Sequence, residues 1–254
     1  MPAHPLAPLV ELPGVAEAAE KARDALAAVH RHPANLRGWP STALEASWRG
    51  GRSSAAIDGG SVELRRDGDY DDPLLAGSMR VAQALDGDSL EQLVGVYRRA
   101  PAQALARLHV LAAADIVADA DALGRPRSDA AVGARLDLLG QVVTAPSAGV
   151  PGPIVAAVVH GELLALAPFA AANGIVARGA SRLSCVATGL DPHNLGVPEV
   201  AWLKRPAEYH RAAARFGEGT PEGVAEWILL CCAAFEAGAA EAASIAEAAR
   251  PRAK

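Results

Sequence analysis

Asn173, Gly174 and Arg178 are the residues of this 254-residue chain whose types and spacing are best suited to chemistry. They fall where a short non-helical piece, 167–172, gives way to a helix expected from about Asn173 to Gly189. A helix start leaves backbone N–H groups without partners at the positive end of the helix dipole, which suits an anion. Gly174 lets a phosphate approach the backbone closely. Arg178, one turn further along the same face, brings a planar fork of donors to the same anion. A second chemistry-bearing stretch, Ser54-Ala55-Ala56-Ile57-Asp58-Gly59, sets a hydroxyl and a carboxylate one turn apart. Local turn chemistry accounts for an Asn-Gly pair, and for a Ser…Asp-Gly helix end, without any ligand.

Other polar residues are weaker candidates. His160 follows Val158 and Val159 on an apolar helix face and reads as a core histidine. Glu162 is the one acid close to the loop and reads as exposed. His109, His193 and His210 have no partner at metal-ligand spacing, so no zinc or iron site is indicated. The stretch Gly149-Val-Pro-Gly152 lacks both the lysine and the preceding strand of a phosphate-binding loop.

The elements that must position these groups are helical. Val15–His30 carries an apolar stripe with Leu26 and Val29. Ser41 is expected to cap a second helix running through Trp48 to Ile57, with glycine breaks at 50–51 and 59–60. Residues 65–72 are charged and read as a surface loop. Pro73–Leu85 and Asp88–Ala118 have helical periodicity, and Leu123–Asp129 is a turn. Helices follow over Ala130–Val143 and Pro153–Leu166. The last helix starts at Thr220-Pro221-Glu222, in the order N-cap, proline and acid, and extends toward Ala249. Trp202, Trp227 and Phe235 are expected core anchors. No strand run and no repeat of fixed period is found.

Composition agrees with a helical protein that builds a core from small side chains. Hydrophobic residues make up 51% and aromatics only 4%. The net charge of −5 and the absence of a clustered basic face argue against nucleic acid. Lysine occurs only at Lys21, Lys204 and Lys254, so arginine carries most positive charge. Cys185, Cys231 and Cys232 have no metal spacing and read as buried thiols of a reduced cytosol. No signal peptide is read at the N-terminus, and His160 and Glu162 interrupt the apolar stretch 154–172. A cytoplasmic location without membrane attachment is expected.

The segment His160–Arg178 resembles the Fic signature, H-P-F-x-[DE]-G-N-G-R-x-x-R with an H-x-x-F-x-x-I lead-in. His160, Leu163 and Leu166 fall on the lead-in, and Pro168, Phe169, Asn173, Gly174 and Arg178 match the core motif. Ala167, Ala171, Ala172 and Ile175 do not. Ser54–Gly59 resembles the family's inhibitory helix, [ST]-x-x-x-E-[GN], with Asp58 in place of glutamate. The resemblance implies an all-α Fic (Fido) fold, with residues 1–72 as a helical extension holding the inhibitory helix and 73–254 as the Fic-like domain. It implies that Asn173, Gly174 and Arg178 cradle nucleotide phosphates, and that Ser54 and Asp58 are autoinhibitory, with Asp58 pairing to Arg178. It places the target-docking flap near Gly124–Ser128.

The same resemblance puts an alanine, Ala167, where the family keeps its general base, and another, Ala171, where it keeps a magnesium-binding carboxylate. Losing a positioned base typically costs roughly 10²–10⁴-fold in rate. The expectation is therefore a protein without AMP transfer that binds a nucleotide or phosphate, or regulates a protein partner. ATP or another nucleotide is the one ligand implied, with no resident metal. Two other readings stay open: an active nucleotidyl- or phosphoryl-transferase with a relocated base such as His160 or Glu162, and a ligand-free helical scaffold.

Overall fold

A computed structural model describes residues 4–63, 70–146 and 149–250, and among these every regular element is helical. Eleven α-helices run in order: α1 (Val15–His30), α2 (Asn35–Ile57), α3 (Pro73–Ala84), α4 (Gly87–Tyr97), α5 (Pro101–Ala113), α6 (Ala130–Thr144), α7 (Gly152–Leu166), α8 (Asn173–Ala187), α9 (Pro198–Lys204), α10 (Pro206–Gly217) and α11 (Pro221–Ala248). The expected loop over 65–69 lies outside the described residues, while Asp72 caps α3 by accepting from the Leu75 amide at 2.7 Å. Asp129 and Thr220 cap α6 and α11 in the same way. Proline opens α3, α5, α7, α9, α10 and α11, where its missing N–H costs nothing.

The centre is the α7–α8 hairpin. α7 is buried around most of its circumference, from Ile154 to Leu166, as an apolar helix without a polar face must be. α11 lies across it and also packs on α1, α9 and α10. By length and composition α11 could span a membrane, but here half of its apolar window is buried against the other helices. Residues of α1 and α2, such as Leu26 and Ile57, share one buried cluster with Leu108, Leu163 and Trp227.

Two expectations about α2 need correction. The helix starts at Asn35, so Ser41 is not its cap; the Ser41 hydroxyl donates to the Gly38 carbonyl at 2.9 Å. Gly50 and Gly51 do not break it either. A Cβ on Gly51 would lie 2.9 Å from Met79 Sδ, and one on Gly50 would meet the Arg182 guanidinium. These glycines let α2 lie close against α3 and α8, a packing demand that a one-dimensional reading takes for a helix stop. The break falls where φ turns positive, at Gly59. A third correction concerns 88–118, which divides into α4 and α5 at Pro101, preceded by a non-helical Ala100.

Candidate functional site

The site forms where the C-terminal end of α2 meets the N-terminal end of α8. Ser54 and Asp58 lie one turn apart at the end of α2, and Arg178 faces them from the second turn of α8. Arg178 is 1% exposed and bonded through all three of its side-chain nitrogens. Its Nε donates to Ser54 Oγ at 2.7 Å, and its Nη2 donates to the Ser54 carbonyl at 2.9 Å and to Asp58 Oδ2 at 2.7 Å. Its Nη1 reaches the Tyr209 hydroxyl at 3.2 Å. Burial works against the guanidinium charge, but Tyr209 and Asp58 outweigh it and hold the proton more firmly than usual.

Asp58 does more than neutralise Arg178. A Cβ on Gly174 would lie 2.6 Å from Asp58 Oδ1 and closer still to Oδ2. The carboxylate therefore rests against the first turn of α8, where a free helix terminus attracts negative charge. The chain's own anion fills the cradle expected for a phosphate.

The loop ahead of α8 is held by its own side chains. Asn173 Oδ1 accepts from the Phe169 amide and Asn173 Nδ2 donates to the Phe169 carbonyl, each at 2.9 Å. The Asn173 side chain thus closes the loop instead of facing a ligand. The Phe169 ring stacks on His109, centroids 4.3 Å apart. His109 Nδ1 accepts from the Gly124 amide at 2.9 Å. The segment expected as a flap is pinned along this loop: the Arg127 amide donates to the Pro168 carbonyl at 2.8 Å, and its guanidinium reaches the Ala167 and Leu166 carbonyls. Ala167 and Ala172, at the two ends of the loop, are both left-handed, with φ of 42° and 54°. An L-residue pays roughly 1–2 kcal/mol for that conformation.

The two residues considered as relocated bases are both engaged. His160 is fully buried, with Nε2 at 2.8 Å from the Tyr209 hydroxyl and its ring edge-on to Trp202 and Trp227. Burial, then the nearby Arg178 charge, pushes its pKa well below the usual value. Glu162 is not freely exposed: both carboxylate oxygens take 2.7 Å bonds from Arg135. Ala171, at the position where the family keeps its magnesium-binding carboxylate, has no side-chain oxygen to offer such an ion. The residues present do not fit that ion.

Tyr209, whose hydroxyl joins His160 to Arg178, carries no sequence signal, because its partners lie 49 and 31 residues away. Arg182 was equally silent. It is buried one turn after Arg178 and forms a bidentate pair with Glu199, both bonds 2.7 Å, plus a bond to Asn194 at 2.8 Å. An arginine four residues after Arg178 on a largely apolar helix was the available hint.

No protein-family model and no curated protein matches the chain at a significant level. Among solved structures, Fic-1 (residues 134–508) from C. elegans superposes with a TM-score of 0.67 at 17% identity, covering 90% of this chain and 74% of that one. This chain has the Fic fold. At that identity the likeness fixes architecture alone. The Fic fold accounts for the α7–α8 hairpin with its loop, and the side chains around it have to be read on their own terms.

Proposed function

We propose that this Fic-fold chain has given up nucleotidyl transfer and works as a gated binding module, its phosphate cradle closed by Asp58. The observation that carries this reading is the Asp58 carboxylate, which contacts Gly174 and pairs with Arg178 at once. An anion entering the cradle must displace it. Position 167 offers a methyl group where proton abstraction would need a base, and the two residues considered as relocated bases, His160 and Glu162, are bonded to Tyr209 and Arg135. Opening of α2 would expose both the cradle and the α2 face that covers it, so nucleotide binding and partner binding would be coupled through one movement.

Calorimetric titration with ATP and ADP tests this. The native chain should bind weakly and Asp58→Ala at least about tenfold more tightly, since the competing internal carboxylate is gone. Adding Gly174→Leu to Asp58→Ala should abolish binding by filling the cradle. Equal affinities in all three proteins would sink the gated-cradle reading. Incubation of Asp58→Ala with labelled nucleotide and lysate should give no transferred label; transfer would revive an active transferase.

A further inference from the structure

Opening of α2 strips Arg178 of most of its partners. Both Nη2 protons are spent on that helix, one on the Ser54 carbonyl and one on Asp58, and Nε is spent on Ser54 Oγ. Nη1 has a single bond among the described residues, to the Tyr209 hydroxyl of α10. Tyr209 is therefore the one partner that stays when the end of α2 leaves. Its hydroxyl is held in turn by His160 of α7.

The order of protons along these three residues follows from donor chemistry. A guanidinium only donates, so the Tyr209 oxygen accepts from Nη1. Burial keeps the phenol protonated against the pull of the Arg178 charge. The hydroxyl hydrogen then goes to the one acceptor bonded to it, His160 Nε2 at 2.8 Å. His160 must be neutral to accept it, in agreement with its lowered pKa, and must carry its own proton on Nδ1. The opposite tautomer turns an Nε2 proton against the Tyr209 oxygen and strands the phenol hydrogen. Nδ1 has no hydrogen-bond partner in either case, so the Nδ1 tautomer leaves one unmet group and the Nε2 tautomer two. The Trp202 and Trp227 rings, with centroids 4.8 and 5.0 Å from that of His160, place weak aromatic acceptors beside it.

We propose that Tyr209 and His160 are positioning residues for the cradle: a one-way chain of hydrogen bonds, from Arg178 to Tyr209 to His160, keeps the guanidinium aimed when Asp58 withdraws. Withdrawal frees an Nη2 proton for the entering phosphate while Nη1 remains anchored. The role in binding rests on the gated-cradle reading; the proton order in the native chain does not.

Two measurements test this. In a long-range ¹H–¹⁵N spectrum of the native chain, the His160 ring, assigned by its loss in His160→Gln, should show a protonated Nδ1 and a bare Nε2. Tyr209→Phe should abolish that preference. In the Asp58→Ala background, calorimetry should show Tyr209→Phe weakening ATP about tenfold, as loss of one charge-assisted hydrogen bond implies. His160→Leu should weaken it by a similar factor. His160→Gln, which keeps an acceptor for the phenol, should retain most of the affinity, whereas a packing role alone would favour the apolar leucine. The proposal is overturned by a proton on Nε2 in the native chain, by ATP affinity that Tyr209→Phe leaves unchanged, or by leucine serving as well as glutamine. If Asp58→Ala takes up no ATP at all, the gated-cradle reading falls and the tautomer alone decides the proton chain. The native-chain spectrum also decides if a variant fails to fold.

Discussion

Replacing Asp58 with alanine tests the centre of the site most directly. The substitution leaves Arg178, 1% exposed, without its counter-charge. Breaking a buried ion pair typically costs about 3–5 kcal/mol. Here the penalty should fall near the lower end, about 3 kcal/mol, because Arg178 keeps its bonds to Ser54 and Tyr209 and the carboxylate is 20% exposed. For a chain of this size that corresponds to a fall in Tm of roughly 6–12 °C, read by circular dichroism. If the vacated cradle takes phosphate groups, ATP at a hundred times its Kd should restore about 2.7 kcal/mol, most of the loss. A double-mutant cycle with Arg178→Met isolates the pair: the double variant should be less destabilised than the sum of the two singles. Two results would refute the reasoning. A melting point within about 1 °C of the native value would mean that Asp58 is no counter-charge for Arg178, given the cost expected of a buried pair. A destabilised variant that ATP cannot rescue would mean that no anion takes its place.

Three further outcomes follow from the same geometry. His160, His109 and His193 all have pKa values lowered by burial, so the unfolded chain binds their protons first as pH falls below about 6.5. Stability in urea should therefore drop between pH 6.5 and 5.5, and His160→Gln should remove up to about 1.4 kcal/mol per pH unit of that slope. Ala172→Gly should raise stability by up to about 1 kcal/mol in thermal melts, since relief of a left-handed alanine exceeds the added chain entropy. A loss of stability would show that the alanine Cβ packs usefully. Arg127→Ala should speed hydrogen exchange of the Phe169 amide about tenfold, with global stability lowered by only about 1 kcal/mol, because it unties the Leu166 and Ala167 carbonyls at the loop. Unchanged exchange would show that Asn173 alone fixes the loop.

How far the sequence reaches depends on how local each determinant is. α1 and the cap of α11 follow from residues within a few positions of each other, and the structure places both where periodicity and Thr220 put them. The Asp58–Arg178 pair spans 120 residues, yet it was legible because two short motifs imply one contact. Gly50 and Gly51 misled for the opposite reason: their purpose is a neighbour, Met79 or Arg182, that no local window contains. Tyr209 stayed invisible on the same grounds. The cradle's occupation by Asp58 could be read as an ion pair from sequence, but its contact with Gly174 needed coordinates.

The loop motif divides in two when each residue is asked what would happen to folding without it. Phe169 is stacked, Asn173 ties the loop shut, and Arg178 is the hub of a buried polar cluster, so each answers to stability. Ala167 and Ala171 offer only methyl groups, which make no hydrogen bond. A chain released from catalysis would be free to drift at those two positions while its fastenings stayed put. On the reading proposed above, such a half-motif keeps the residues that fasten the loop and has lost those that only chemistry would require.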